Sequence, residues 1–215
     1  MDDQGRADLA LGITNRERLT ILRALLQVGE LTRRDCSELR PPVNFGMAHY
    51  HLRGLVDLGT VEPLGRLRVN GGRPQDHWAF GGENAELVAG LLDLWGGSRE
   101  VVNSQREGSM AKLKDRDIEL IGKALSHPIR LALIRDFGDG RIQSPVVWAK
   151  GRELTLSHAN YHFGCLRECR VLKVVRTQKK RGATEHFYAL KGRLSTDALE
   201  ALEVLDGSAE LVPTA

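Results

Sequence analysis

The chain has 215 residues, 41% of them hydrophobic, and a formal net charge of +3. That is enough apolar sequence to bury a core in one large domain or two ordinary ones, and the charge is too mild to imply a polyanion partner by itself. No apolar run spans a membrane, since Asp93 interrupts the best candidate, Leu87 to Trp95; the start is acidic where a secretory signal is basic; and three cysteines are too few for a disulfide scaffold, so a soluble, cytoplasmic protein is expected.

The first element predicted is an amphipathic helix, Ile13 to Val28, with Ile13, Leu19, Ile21, Leu22, Leu25 and Leu26 mostly at three- and four-residue spacing and Gly29 as its stop. Thr32 is placed to cap a short helix, Arg33 to Leu39, that ends before Pro41-Pro42. Asn44 caps a third helix through about Leu58, with Gly59 as its stop. Val61 to Leu67 and His77 to Phe80 read as strands of a hairpin joined by Asn70-Gly71-Gly72, and Glu83 to Leu94 as a closing helix. Gly96 to Arg116 is Gly-, Ser- and charge-rich and reads as a linker. Beyond it, Ile118 to Phe137 is predicted helical with a break at Pro128. A short helix around Ser144 to Lys150 and a Thr155-capped helix to Cys169 follow. A hairpin of Val171 to Thr177 and Glu185 to Leu190 and a closing helix, Ser195 to Leu205, end the order.

This order occurs twice because the sequence repeats. Tyr50-His51-Leu52-x-x-Leu55 returns as Tyr161-His162-Phe163-x-x-Leu166, Arg18-Leu19 to Arg23 as Arg130-Leu131 to Arg135, and Gly72-x5-Trp78-Ala79-Phe80 as Gly182-x5-Tyr188-Ala189-Leu190. Three blocks in register, with small offsets between them, mark two copies of one unit. The expected class is α+β, mostly α with small β-hairpins: residues 1–95 as one domain, 96–116 as a linker and 117–215 as the second domain. Two basic runs without an acid, Arg66 to Arg73 and Arg170 to Arg181, stand at equivalent places in the copies.

Three helices and a basic hairpin form the order of a winged helix-turn-helix, and a helix of this width enters the major groove while the hairpin reaches flanking phosphates. The predicted partner is therefore double-stranded DNA. Candidate contacts in the first copy are Asn44, Phe45, Met47, His49, His51 and Arg53 on the third helix and Arg66, Arg68 and Arg73 on the wing. In the second copy they are Thr155, Ser157, His158, Asn160 and His162 on the helix and Arg176, Lys179, Lys180 and Arg181 on the wing. His158 and Asn160 suit hydrogen bonds to base edges, and Phe45 and Met47 suit thymine methyls.

Leu125-Ser126-His127-Pro128-Ile129-Arg130-Leu131-Ala132 resembles the opening of the ArsR-type winged-helix transcriptional regulators. Asn160-Tyr161-His162-Phe163-x-x-Leu166 with Val171-Leu172 resembles their recognition helix, and Gly182 to Leu190 their second wing strand. The first copy repeats the later pattern, while its opening, Ile13 to Arg18, departs from it. The resemblance implies tandem winged helix-turn-helix domains, DNA binding, and repression relieved by an effector, whose identity it leaves open. The paired cysteines that metal sensors of this type carry before the recognition helix are missing here; that stretch holds only Cys36.

His51 and His162 have two readings, phosphate contact or a helix residue holding its neighbour. Tyr50 and Tyr161 are expected to pack, and Trp78, Phe80, Phe187 and Tyr188 to form wing-strand core. Cys165 and Cys169 lie one helical turn apart, but Cys169 aligns with core Leu58, and a structural role is favoured. No metal or cofactor is expected. Nor is an enzyme: there is no Gly-x4-Gly-Lys-Ser/Thr, no His-Glu-x-x-His and no Gly-x-Ser-x-Gly. The rival reading is a winged-helix module that docks on a protein, with both copies or with the first alone. The apolar stripes Leu87, Leu91, Leu94 and Leu199, Leu202, Leu205 of the closing helices call for a partner, which makes the chain either a monomeric pseudo-dimer or a homodimer.

Overall fold

The computed structural model describes residues 1–67, 73–96, 113–180 and 182–207. Ten helices and five strands alternate in this mixed α+β chain among the described residues. They divide into two compact units: Leu11–Asp115, the N-unit, and Met1–Ala10 with Arg116–Ala215, the C-unit.

The chain opens with a helix absent from the predicted order, α1 (Asp3–Ile13), and α2 begins only at Arg16 (Arg16–Val28). Asn15 separates them by accepting from the backbone N–H of Glu17 and Arg18. The second copy does the same with α6 (Asp115–Leu125), α7 (Pro128–Gly138) and His127, whose Nδ1 accepts from the Ile129 N–H at 3.1 Å. A second feature ties the copies together. Arg18 donates to the Gly12 carbonyl at 3.4 Å and Arg130 to the Ala124 carbonyl at 3.2 Å, equivalent residues making equivalent bonds. The openings of the two copies therefore differ in their capping residue on the same backbone plan.

The first ten residues group with the second copy, whereas the sequence places them in the first domain. Arg135 of α7 holds both Asp3 oxygens at 2.9 and 3.0 Å and both Asp206 oxygens at 2.9 and 2.6 Å, and Arg6 reaches Asp206 at 3.1 Å. Hydrogen bonds from Arg135 keep the Asp3 carboxyl below its usual range. Bidentate arginine–carboxylate pairs have geometric specificity, so this cluster fixes the start of α1 in the C-unit.

In the N-unit, β1 (Glu30–Thr32) leads to α3 (Arg33–Glu38), α4 (Phe45–Asp57), β2 (Val61–Leu67), β3 (Gln75–Phe80) and α5 (Ala85–Gly96). Thr32 and Asp35 form a capping box at the start of α3, so one threonine ends a strand and starts a helix. The sheet order is β1-β3-β2, all antiparallel. In the C-unit α8 (Pro145–Lys150), α9 (Leu156–Glu168), β4 (Leu172–Lys180), β5 (Ala183–Leu190) and α10 (Arg193–Leu205) follow α7. Here β1 is reduced to a single bridge, Gln143 to Tyr188, matching the Leu31 to Trp78 pair of the first copy. Both hairpins shift register at the same place, between Pro63 and Gly65 and between Val174 and Arg176. Gly59 after α4 and Arg170 after α9 share a left-handed backbone at φ 63° and 62°, the turn that sends each helix into its hairpin.

The two cores use different side chains at matched positions. Leu25, Cys36, Leu52 and Trp78 are buried in the N-unit where Phe137, Trp148, Phe163 and Tyr188 are buried in the C-unit. Three of the four matched sites carry the smaller side chain in the N-unit, and only Trp78 is larger than its counterpart. The predicted core residues Trp78, Phe187 and Tyr188 are buried, and Phe80 is half-buried. In the closing-helix stripes Leu91, Leu202 and Leu205 are buried and Leu87, Leu94 and Leu199 half-buried. No described helix is long and apolar enough to cross a membrane.

Candidate nucleic-acid interface

The helices α4 and α9 start on side-chain caps. Asn44 Oδ1 accepts from the Gly46 N–H at 2.8 Å, and Thr155 Oγ1 from the His158 N–H at 3.3 Å. These two oxygens are thus committed to holding the helix start, which narrows the contact roles expected of Asn44 and Thr155.

Helical phase then sorts the remaining residues. Ala48, His51, Leu52 and Leu55 face the core in α4, and Ala159, His162, Phe163, Cys165 and Leu166 in α9. The opposite faces carry Phe45, Met47, His49, Tyr50 and Arg53 in α4, and Leu156, Ser157, His158, Asn160 and Tyr161 in α9, all exposed. The α9 face therefore holds four hydrogen-bonding side chains, at Ser157, His158, Asn160 and Tyr161. The α4 face has an apolar start, and Arg33 lies over the Phe45 ring at 4.6 Å.

Burial sorts two histidines and two tyrosines. His51 and His162 are 6% and 5% exposed, which corrects their placement among the phosphate contacts: both lie on the buried face of their helix. The His162 ring lies 4.3 Å from the His127 ring, centroid to centroid. Burial, then His127, Arg130 and His158, bring its pKa down to about 4, so it is neutral near pH 7. Burial lowers His51 as well, and burial followed by Arg130 lowers His127. Tyr50 and Tyr161, expected to pack, are 61% and 64% exposed. The spacing 48, 51, 52, 55 is the buried stripe of a helix, and Tyr50 falls outside it; that phase was the signal in the sequence.

The hairpins differ in charge. Lys179 and Lys180 are exposed, and their cross-strand neighbours are the neutral Thr184 and Ala183. The acid nearest along β5, Glu185, accepts a hydrogen bond from the Ser144 hydroxyl. Arg176 is exposed and stacks at 4.0 Å over the Phe187 ring, which orients its guanidinium. In the N-unit Arg66 is paired at 3.3 Å with Asp76 across the strands, and Arg73 is exposed. Arg68 and Arg181 lie outside the described residues, as do the Asn70-Gly71-Gly72 turn and most of the linker.

The three cysteines are buried free thiols. Burial pushes Cys36 up to about 11 and raises Cys169, which removes thiolate character at both. Among the described residues no group of three His, Cys, Asp or Glu side chains is placed to hold a metal ion. Comparison of the chain with protein-family models, with curated proteins and with solved structures finds no match in any of the three.

Proposed function

We propose that each unit is a winged helix-turn-helix and that the chain is a sequence-specific regulator of transcription, ArsR-like, that binds double-stranded DNA. The observation that carries this reading lies in the C-unit. One helix exposes Ser157, His158 and Asn160, and the hairpin that follows it exposes Lys179 and Lys180 without an acid across from either. Hydrogen-bonding side chains on a groove-sized helix suit base edges, and unpaired lysines on a wing suit phosphate.

The test is a titration of duplex affinity against salt, since phosphate contacts release counterions and log affinity falls linearly with log salt. Lys179→Ala with Lys180→Ala is expected to weaken every duplex equally and to lower the slope by about two, close to one per lost contact. An unchanged slope would remove the wing from the interface. Asn160→Ala is expected to relax selection at one or two base pairs, at a cost of about 1–3 kcal/mol on the preferred site and little elsewhere. Equal weakening of all sequences would place Asn160 on the backbone instead.

A second reading is favoured by one specific contrast. The N-unit hairpin has its Arg66 neutralised by Asp76, and α4 exposes Phe45 and Met47 at 52% and 47%. Such a face also suits a protein partner, with the C-unit alone on DNA. Because the exposed faces of α4 and α9 differ, a DNA site bound through both units of one chain is asymmetric. An effector, where one acts, is unassigned.

A further inference from the structure

The duplication supplies an internal comparison. Along the exposed face the copies have diverged at almost every position: Phe45 against Leu156, Gly46 against Ser157, Met47 against His158, and His49 against Asn160. Tyr50 and Tyr161 alone keep the same exposed side chain. Each ring stands edge-on against the buried histidine that follows it, at 5.4 Å from His51 and 5.1 Å from His162, and Arg18 also lies over the Tyr50 ring at 5.9 Å. Neither phenol has a hydrogen-bond partner among the described residues.

A tyrosine this exposed adds little to the core of its unit, and its hydroxyl is free. Its ring has only two rotatable bonds, and the histidine edge limits them further, so the hydroxyl is presented at low entropic cost. One helical turn before Tyr161 lie Ser157 and His158, which puts it on the same surface as the proposed base-reading side chains. Residues that differ between two reading helices serve two different half-sites. A residue that stays the same serves what the half-sites share, and the phosphodiester backbone is what every half-site shares.

We infer that Tyr50 and Tyr161 donate their phenol hydroxyls to backbone phosphates and seat both helices on duplex DNA in the same manner. The inference rests on the DNA-binding reading, and it favours both units on DNA over an N-unit reserved for a protein.

The test uses the full chain with Tyr50→Phe and Tyr161→Phe, which delete one hydroxyl and leave the ring. A hydrogen bond to a charged group is worth enough that each change is expected to cut duplex affinity about tenfold. The loss falls equally on the preferred and on an unrelated duplex. The salt slope stays at the wild-type value, because a neutral donor releases no counterion; this separates the tyrosines from the wing lysines. Thermal midpoints of both variants match wild type, since both side chains are exposed.

Affinities within twofold of wild type would overturn the inference, as would a loss confined to the preferred sequence, which marks a base contact. A loss with Tyr161→Phe but none with Tyr50→Phe would overturn the shared seating and leave the C-unit alone on DNA. Wild-type protein that binds no duplex at any salt overturns the DNA-binding reading itself, a result distinct from the preceding three.

Discussion

Phe163→Ala is expected to destabilise the protein by about 3–5 kcal/mol, the range for removing a fully buried aromatic side chain. The ring of Phe163 is inaccessible to solvent, and three other aromatic rings meet it edge-on: Tyr188 at 5.2 Å, Phe137 at 5.8 Å and Trp148 at 6.1 Å. These partners come from β5, α7 and α8, so a cavity at residue 163 removes packing from three elements at once. Collapse around the cavity is resisted on one side, because Trp148 is anchored by its indole N–H to Asp136 at 2.7 Å. Phe163→Leu is expected to cost far less, about 1.5 kcal/mol or under, because the first copy carries Leu52 at the matched site in the same fold. Urea unfolding with an unchanged m-value measures both. A loss below 1 kcal/mol for the alanine variant would show that the aromatic cluster is not the centre of the C-unit.

The parts of the fold that were legible in the sequence were those set by local rules. Thr32, Asn44 and Thr155 cap helices where their side chains and spacing said they would, and the break at Pro128 falls where the ring excludes a continuous helix. The parts that escaped depend on residues far apart. Helix α1 contains Gly5 and Gly12 and no strong apolar stripe; it is fixed by Arg135 and Asp206, 132 and 200 positions away from Asp3 and Arg6 along the chain. The three-residue β1 exists as a strand only through its pairing with β3. In the candidate interface, residue type misled where helical phase would have succeeded. A histidine reads as polar and a tyrosine as core, yet the stripe Ala48, His51, Leu52, Leu55 buries the first and exposes the second.

The equivalent buried histidine of α9, His162, has a consequence for acid stability. The unfolded chain titrates His162 near the ordinary value of 6.5, while the folded chain holds it neutral down to about 4. Between those values the unfolded state binds the proton and the folded state does not, so stability falls as pH drops from about 6.5 to about 4 and levels off below. The interval corresponds to about 3 kcal/mol at most. His127 and His51, whose values are lowered by burial as well, act in the same direction. The environment of His162 offers the added charge no relief: His127 and Arg130 stand on one side and His158 lies one turn back on the same helix, all cationic or able to become so. Its Nδ1 is buried and makes no hydrogen bond among the described residues. His162→Leu, similar in bulk and without a titrating group, is therefore expected to unfold at higher urea than wild type at pH 4.5 and to lose much of the difference between pH 4.5 and pH 7.5. Unfolding midpoints of both proteins at the two pH values provide the comparison. If the variant loses as much stability as wild type on acidification, the proton goes elsewhere, and the buried side of α9 does not exclude it.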